Sequence, residues 1–170
     1  MAQVHLGYDT RLSRTVAIKI LRTDLAQDPM FLARFRREAQ SAAALNHPSI
    51  VSVYDTGEEQ VVTAIGREIS LPYIVMEYVG GRSLKQLLKQ RMEANGGSYD
   101  PLPVDQALAF LIEILPAFSY LHDLGLLYCD FKPDNVIQVG DSLKLIDLGG
   151  VRRSTDDESA IYGTVGYQAP

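Results

Sequence analysis

The sequence predicts an α+β fold, and three observations carry that reading. Short stretches rich in β-branched residues cluster in the first half, at 3–8, 15–21, 50–54 and 73–76. Helical periodicity dominates the stretch from Ser83 to about His122. The two patterns come in blocks and do not alternate as βαβ units would.

Each element has its own local signal. Residues 3–8 and 15–21 read as two strands joined by a turn over Arg11 to Arg14. Asp28-Pro29 predicts a helix start, with a capping carboxylate followed by proline in the first turn. Phe31, Phe35, Ala39, Ala42 and Leu45 recur at helical spacing, and Asn46-His47-Pro48 ends the helix. Ile50 to Tyr54 and Tyr73 to Met76 read as strands, with Glu58 to Pro72 as a long hairpin connection. Gly80-Gly81 precedes a short helix from Ser83 to about Met92, and residues 93–101 have loop composition. Pro103 opens the longest helix, which Gly125 closes; Pro116 inside it predicts a kink costing about 3 kcal/mol if uncompensated. Short strands are expected around Val136 to Val139 and Leu143 to Ile146, then a polar loop from Arg152 to Ser159.

The 170 residues are enough for a domain with a real core, and 46% hydrophobic with 22% charged residues is an ordinary globular composition. A net charge of −5 argues against a broad basic surface for nucleic acid. Cys129 is the only cysteine, so no internal disulfide forms, as suits a reducing compartment. No apolar run is expected to reach the roughly 20 residues of a membrane span. Met1 to His5 lacks the basic-then-apolar pattern of a secretory signal. The expectation is a soluble cytoplasmic domain.

Val16-Ala17-Ile18-Lys19 alone is only a strand whose last side chain reaches water. The residues beyond it change its meaning. A helix carrying Glu38 comes next, and a buried lysine needs a carboxylate partner to stay charged. Tyr128-Cys129-Asp130-Phe131-Lys132-Pro133-Asp134-Asn135 precedes an apolar strand, Asp147-Leu148-Gly149 comes after it, and Gly163-Thr164-Val165-Gly166-Tyr167-Gln168-Ala169-Pro170 closes the chain. Phosphoryl transfer asks a protein to position a nucleotide and neutralise charge, with a lysine for phosphates, a carboxylate for the attacking hydroxyl, and oxygen ligands for Mg²⁺.

In this order and spacing the motifs resemble a eukaryotic-type bacterial serine/threonine protein kinase, across essentially the whole chain. The resemblance implies a bilobal kinase-like fold, incomplete at both ends. Residues 1–79 would be an N-terminal lobe lacking its first strand and most of its glycine-rich loop, and 80–170 a partial helical lobe. It implies ATP and Mg²⁺ as cofactors and a protein with a serine or threonine acceptor as substrate. Lys19 resembles the lysine that holds the α- and β-phosphates, and Glu38 its helix partner. Met76 falls at the gatekeeper and Glu77-Tyr78-Val79 at the hinge, while Val4, Ala17 and Ile137 would sandwich adenine. Asp130 resembles the catalytic-loop aspartate, Lys132 the γ-phosphate lysine, and Asn135 and Asp147 the metal ligands. Thr164 resembles the threonine supporting Asp130 and Lys132, and Lys132 itself favours serine/threonine over tyrosine. Residues 1–79 are similar to actinobacterial receptor-type kinases, through Val4-His5-Leu6 and Phe35-Arg36-Arg37-Glu38-Ala39-Gln40. Residues 73–170 are more similar to the soluble actinobacterial kinase flanked by rubredoxin and tetratricopeptide regions, through Tyr73 to Gly81 and Leu143 to Gly149.

Some positions depart from the family pattern. Met1-Ala2-Gln3-Val4 fits the tail of the glycine-rich loop, so Met1 is expected to be internal to a longer protein. Tyr128-Cys129-Asp130 stands where the family has His-Arg-Asp, which removes the usual partner of an activation-loop phosphate on Ser154, Thr155 or Ser159. Leu148 replaces a phenylalanine; Ala42, Val53, Tyr128 and Leu148 would stack as the regulatory spine, provided the Tyr128 hydroxyl finds a partner. Cys129 reads as a packed small side chain, His47 as a helix-end residue, and Arg152-Arg153 with Asp156-Asp157-Glu158 as solvated loop charges. The alternative to an enzyme is a pseudokinase-like scaffold or a truncated gene product.

Overall fold

The computed structural model describes residues 2–63, 65–155 and 163–167. Asp156 to Ser159, Met1 and Gln168-Ala169-Pro170 lie outside the described residues. The chain forms two compact units, Met1–Asn46 with Ser52–Tyr78, and His47–Val51 with Val79–Pro170. The boundary therefore falls at Tyr78/Val79, and the five residues His47–Val51, ahead of that boundary, also belong to the second unit.

The first unit is an antiparallel sheet in the order β1-β2-β4-β3 with one helix. Strands β1 (Ala2–Asp9) and β2 (Arg14–Leu21) turn through Asp9, whose Oδ1 accepts from the amides of Arg11 and Leu12 at 3.1 Å. Helix α1 (Pro29–Ala43) starts as its sequence requires: Asp28 caps it, accepting from the Met30 amide at 2.8 Å, and Pro29 occupies the first turn. Its buried stripe is Phe35, Ala39 and Ala42.

Strands β3 (Val53–Val62) and β4 (Glu68–Glu77) correct two expectations. Glu58 to Pro72 is no loose connection: Glu58 pairs with Pro72 and the ladder continues to Val62 and Glu68. Beyond the ladder, the Thr63 amide donates to the Arg67 carbonyl at 2.8 Å, and Gly66 has φ 77°. The polar run Glu58-Glu59-Gln60 hid this strand because it lies at the exposed sheet edge, where no apolar face is needed. Ile50 and Val51 are not part of β3. Ile50 bridges Leu145 in parallel, and the Val51 amide donates to the Leu145 carbonyl at 2.8 Å.

The second unit holds β5 (Arg82–Ser83), α2 (Leu84–Ala94), α3 (Val104–Asp123), β6 (Leu126–Tyr128), β7 (Val136–Val139), β8 (Ser142–Leu145) and β9 (Val151–Arg153). Ser83 and Gln86 form a reciprocal capping box that starts α2. Strand β7 pairs with β5 and β8, and β6 with β9; β5, β6 and β9 are too short for a periodicity to announce them. Helix α3 continues through Pro116, at the loss of the bond that residue's N–H would give to Ile112. Gly125, at φ 68°, ends it. By length and composition α3 is apolar enough to cross a membrane, contrary to the expectation from the sequence. Asp105 and Glu113 mask the run. Ile114, Ala117 and Leu121, at most 1% exposed, are its buried stripe, while Val104, Leu108, Leu111, Ile112 and Leu115 are exposed.

Candidate active site

In the first unit, β2 presents Lys19 and α1 presents Glu38. Their side chains are each 13% exposed and form an ion pair at 2.5 Å. A carboxylate in contact is what keeps so enclosed an ammonium charged. Antiparallel partners share a sheet face. Val4 pairs with Lys19, and Ala17 with Leu6 and Met76, so Val4, Ala17, Lys19 and Met76 lie on one face. Val4 is exposed and Met76 buried. Glu77 faces away, and its amide donates to the Ser52 carbonyl at 2.9 Å. Val79 and Ile137 belong to the second unit, both half-buried, with Ile137 paired to Ser83 and Lys144.

The second unit builds its cluster around Asp130. A tight turn at Pro133–Asn135 succeeds the Asp130 segment and brings Asn135 back beneath it. The Asn135 Nδ2 donates to the Asp130 carbonyl at 2.8 Å and to Oδ2 at 3.2 Å. Lys132 Nζ donates to Oδ2 at 2.8 Å and to the Thr164 hydroxyl at 2.7 Å, and that hydroxyl donates to Oδ1 at 2.6 Å. Asp130, Lys132 and Thr164 thus close a ring in which Lys132 donates to both partners and Thr164 passes a bond on to Asp130. Burial pushes the Asp130 carboxyl up, but the bonds from Lys132 and Thr164, the Lys132 charge and Asn135 together hold it below the usual aspartate range.

Asp147 is joined to the same segment. Its carbonyl accepts from the Tyr128 hydroxyl at 2.7 Å, and its Oδ1 accepts from the Gly149 amide at 3.0 Å. The Cys129 amide donates to the Gly150 carbonyl at 2.9 Å, and the Ile146 amide to the Asn135 carbonyl at 3.0 Å. The Tyr128 hydroxyl therefore has the partner its burial demands. Ala42 and Val53 lie in the first unit, Tyr128 and Leu148 in the second.

Sequence reasoning missed three supports of this loop. Phe118 of α3 meets Tyr128 and Phe131 edge-on, at centroid distances of 5.8 and 5.0 Å. Lys85 of α2 reaches Asp134 Oδ1 at 2.6 Å. Gly150 sits so close to Asp130 that no side chain fits there. Only the aromatic side chains left a sequence signal, as apolar positions bracketing Asp130.

The donor set suits a hard divalent cation. With Nδ2 engaged by Asp130, the amide oxygen is the atom through which Asn135 could hold a cation, and Asp147 supplies a carboxylate. Among the described residues no three His, Cys, Asp or Glu side chains converge. Such a pair fits Mg²⁺, which takes one or two protein ligands and completes its shell with phosphate oxygens and water.

The described residues thus hold a lysine–glutamate pair on a sheet and helix in the first unit and, in the second, a loop that gathers an aspartate, a lysine, a threonine and an asparagine. Comparison with known families matches the protein kinase domain over residues 1–170, and the chain belongs to that family. It is 45% identical to the serine/threonine-protein kinase PknB of Mycobacterium leprae over 100% of the chain and 26% of that protein. To a probable serine/threonine-protein kinase of Streptomyces coelicolor it is also 45% identical, over 24% of that protein. The chain thus spans about a quarter of the length of these relatives. Among solved structures, the kinase domain of M. tuberculosis PknI matches 88% of the chain and 54% of that domain, with a TM-score of 0.69 and 32% identity.

Proposed function

We propose that the chain is the nucleotide-binding and catalytic-loop part of an ATP-dependent protein serine/threonine kinase. The observation that carries this is the ring around Asp130, a carboxylate held ionised and oriented by Lys132, Thr164 and Asn135. An oriented carboxylate can accept the proton of a substrate hydroxyl as it attacks phosphorus. Lys132, already beside it, supplies positive charge where the transferred phosphoryl group gathers negative charge. Lys19, fixed by Glu38, holds the α- and β-phosphates. By the family resemblance, Val4, Ala17, Met76 and Glu77 of the first unit and Val79 and Ile137 of the second would be the adenine-contacting positions. Asn135 and Asp147 would hold Mg²⁺, which when bound neutralises the phosphates. The sole cysteine supports a cytoplasmic location.

The test is Asp130→Asn in the chain extended to the length of its relatives' kinase domains. Transfer of radiolabelled phosphate to a generic acceptor is lost, while ATP binding by calorimetry stays near wild type, because Asp130 acts on the acceptor and not on the nucleotide. An extended wild type that transfers no phosphate under any metal condition removes the enzyme reading in favour of a scaffold.

A further inference from the structure

Glu38 is carried on α1, and a helix held at one charged point can still roll about its axis. The structure provides a second point. Arg36 directs Nε and Nη2 onto Glu58 Oε1, at 2.9 and 2.5 Å. The other oxygen of Glu58 accepts from the Ser70 hydroxyl at 2.7 Å. Glu58 lies on β3 and Ser70 on β4, so one carboxylate ties the helix to both strands of the ribbon. Nearby, Arg67 Nη1 donates to Gln27 Oε1 at 2.8 Å, joining the ribbon end to the segment just before α1.

Helix geometry makes this tie directional. At 3.6 residues per turn, each residue advances about 100°. Arg36 and Glu38 therefore leave α1 on opposite flanks of the buried stripe formed by Phe35, Ala39 and Ala42. A roll that withdrew Glu38 from Lys19 would drive Arg36 against or away from Glu58. The bond from Ser70 and those from Arg36 hold the Glu58 carboxyl below the usual glutamate range, so the tie persists through neutral pH.

We propose that Arg36 and Glu58 are positioning residues for the Lys19–Glu38 pair, with the β3–β4 ribbon acting as a strut that fixes the roll of α1. Its functional meaning rests on the reading of Lys19 as a phosphate-holding residue; the strut itself is measurable without nucleotide. The Arg36 and Glu58 side chains are 55% and 36% exposed, so the pair contributes little to global stability. The telling readout is local: how readily Lys19 is acylated.

The experiment is brief treatment of the 170-residue chain with an acetylating ester, with labelling at each lysine read by peptide mass spectrometry. Glu38→Ala sets the upper limit of Lys19 labelling. Arg36→Ala and Glu58→Ala each raise it about threefold, the scale set by an exposed ion pair. The double variant goes no further than the larger single one, because both remove the same tie. Lys85 and Lys89 keep their wild-type labelling, and Arg34→Ala, an exposed cation on the same helix, leaves Lys19 unchanged. Wild-type labelling of Lys19 in both strut variants overturns the proposal. So does a rise in Arg34→Ala equal to theirs, or a Glu38→Ala variant with no rise at all, since there would be no pair to position. Phosphotransfer has no part in the readout, so loss of the kinase reading would leave this result standing.

Discussion

Gly150→Ala is the perturbation that bears most directly on the catalytic loop. A Cβ at position 150 would stand 2.7 Å from the Asp130 Cβ, 2.9 Å from its amide nitrogen and 3.3 Å from its Cα, where ordinary contact begins at 3.4 Å. Neither side can yield alone. The Cys129 amide holds the Gly150 carbonyl at 2.9 Å, and the Asp130 carbonyl is held by Asn135 at 2.8 Å. The two segments must separate by roughly half an ångström, an overpacking that costs about 1–3 kcal/mol. A displacement of about 1 Å at a reacting group costs about a hundredfold in rate, so half of that costs about tenfold. Urea unfolding of the chain measures the first effect, and initial rates of phosphate transfer by the extended chain measure the second. Gly140→Ala is the control: at φ 58° it meets nothing within 4 Å, so it incurs backbone strain and leaves Asp130 in place. Gly150→Ala with wild-type stability and rate would refute the argument that backbone contact sets the Asp130 position.

Three further outcomes are expected. Lys19→Met leaves Glu38 enclosed without its cation and costs about 3 kcal/mol in urea unfolding, whereas the double change with Glu38→Leu costs less; equal losses would show that the pair is not coupled. Tyr128→Phe removes one hydrogen bond to the Asp147 carbonyl and destabilises by about 1 kcal/mol, read by the same assay; no change would mean water replaces the hydroxyl without loss. Because the Asp130 carboxyl is lower in the folded than in the unfolded chain, its stabilisation is fully present above the ordinary aspartate value of about 3.9 and is lost as pH falls through the folded value. The difference in urea midpoint between wild type and Asp130→Asn therefore shrinks towards acid pH, and a constant difference would contradict the assignment.

The elements that sequence reasoning found are those whose cause is local. Strands β1 and β2 show their β-branched residues, and α1 shows Asp28-Pro29 at one end and its Phe35–Ala39–Ala42 stripe throughout. What it missed was decided by partners distant in the chain. The β3 extension is polar because it is an edge, and its ladder depends on β4. Ile50 and Val51 look like the start of that strand, yet their backbone bonds go to Leu145. The site divides the same way. Motif order pointed to the Lys19–Glu38 pair and to the grouping of Lys132 with Asp130. The Lys85–Asp134 contact, the Phe118 wedge and the closeness of Gly150 come from tertiary packing that no motif encodes.

The excursion of residues 47–51 into the second unit bears on how the protein can be taken apart. No single cut yields both units whole. Residues 79–170 expressed alone would leave both polar edges of Leu145 unsaturated, since its amide and carbonyl serve Ser49 and Val51. A short synthetic peptide bearing Ser49-Ile50-Val51 would be a missing rung able to dock there. Assembly of the second unit likewise waits on a stretch synthesised long before it, a closure whose entropic cost rises only slowly with the length of the intervening chain.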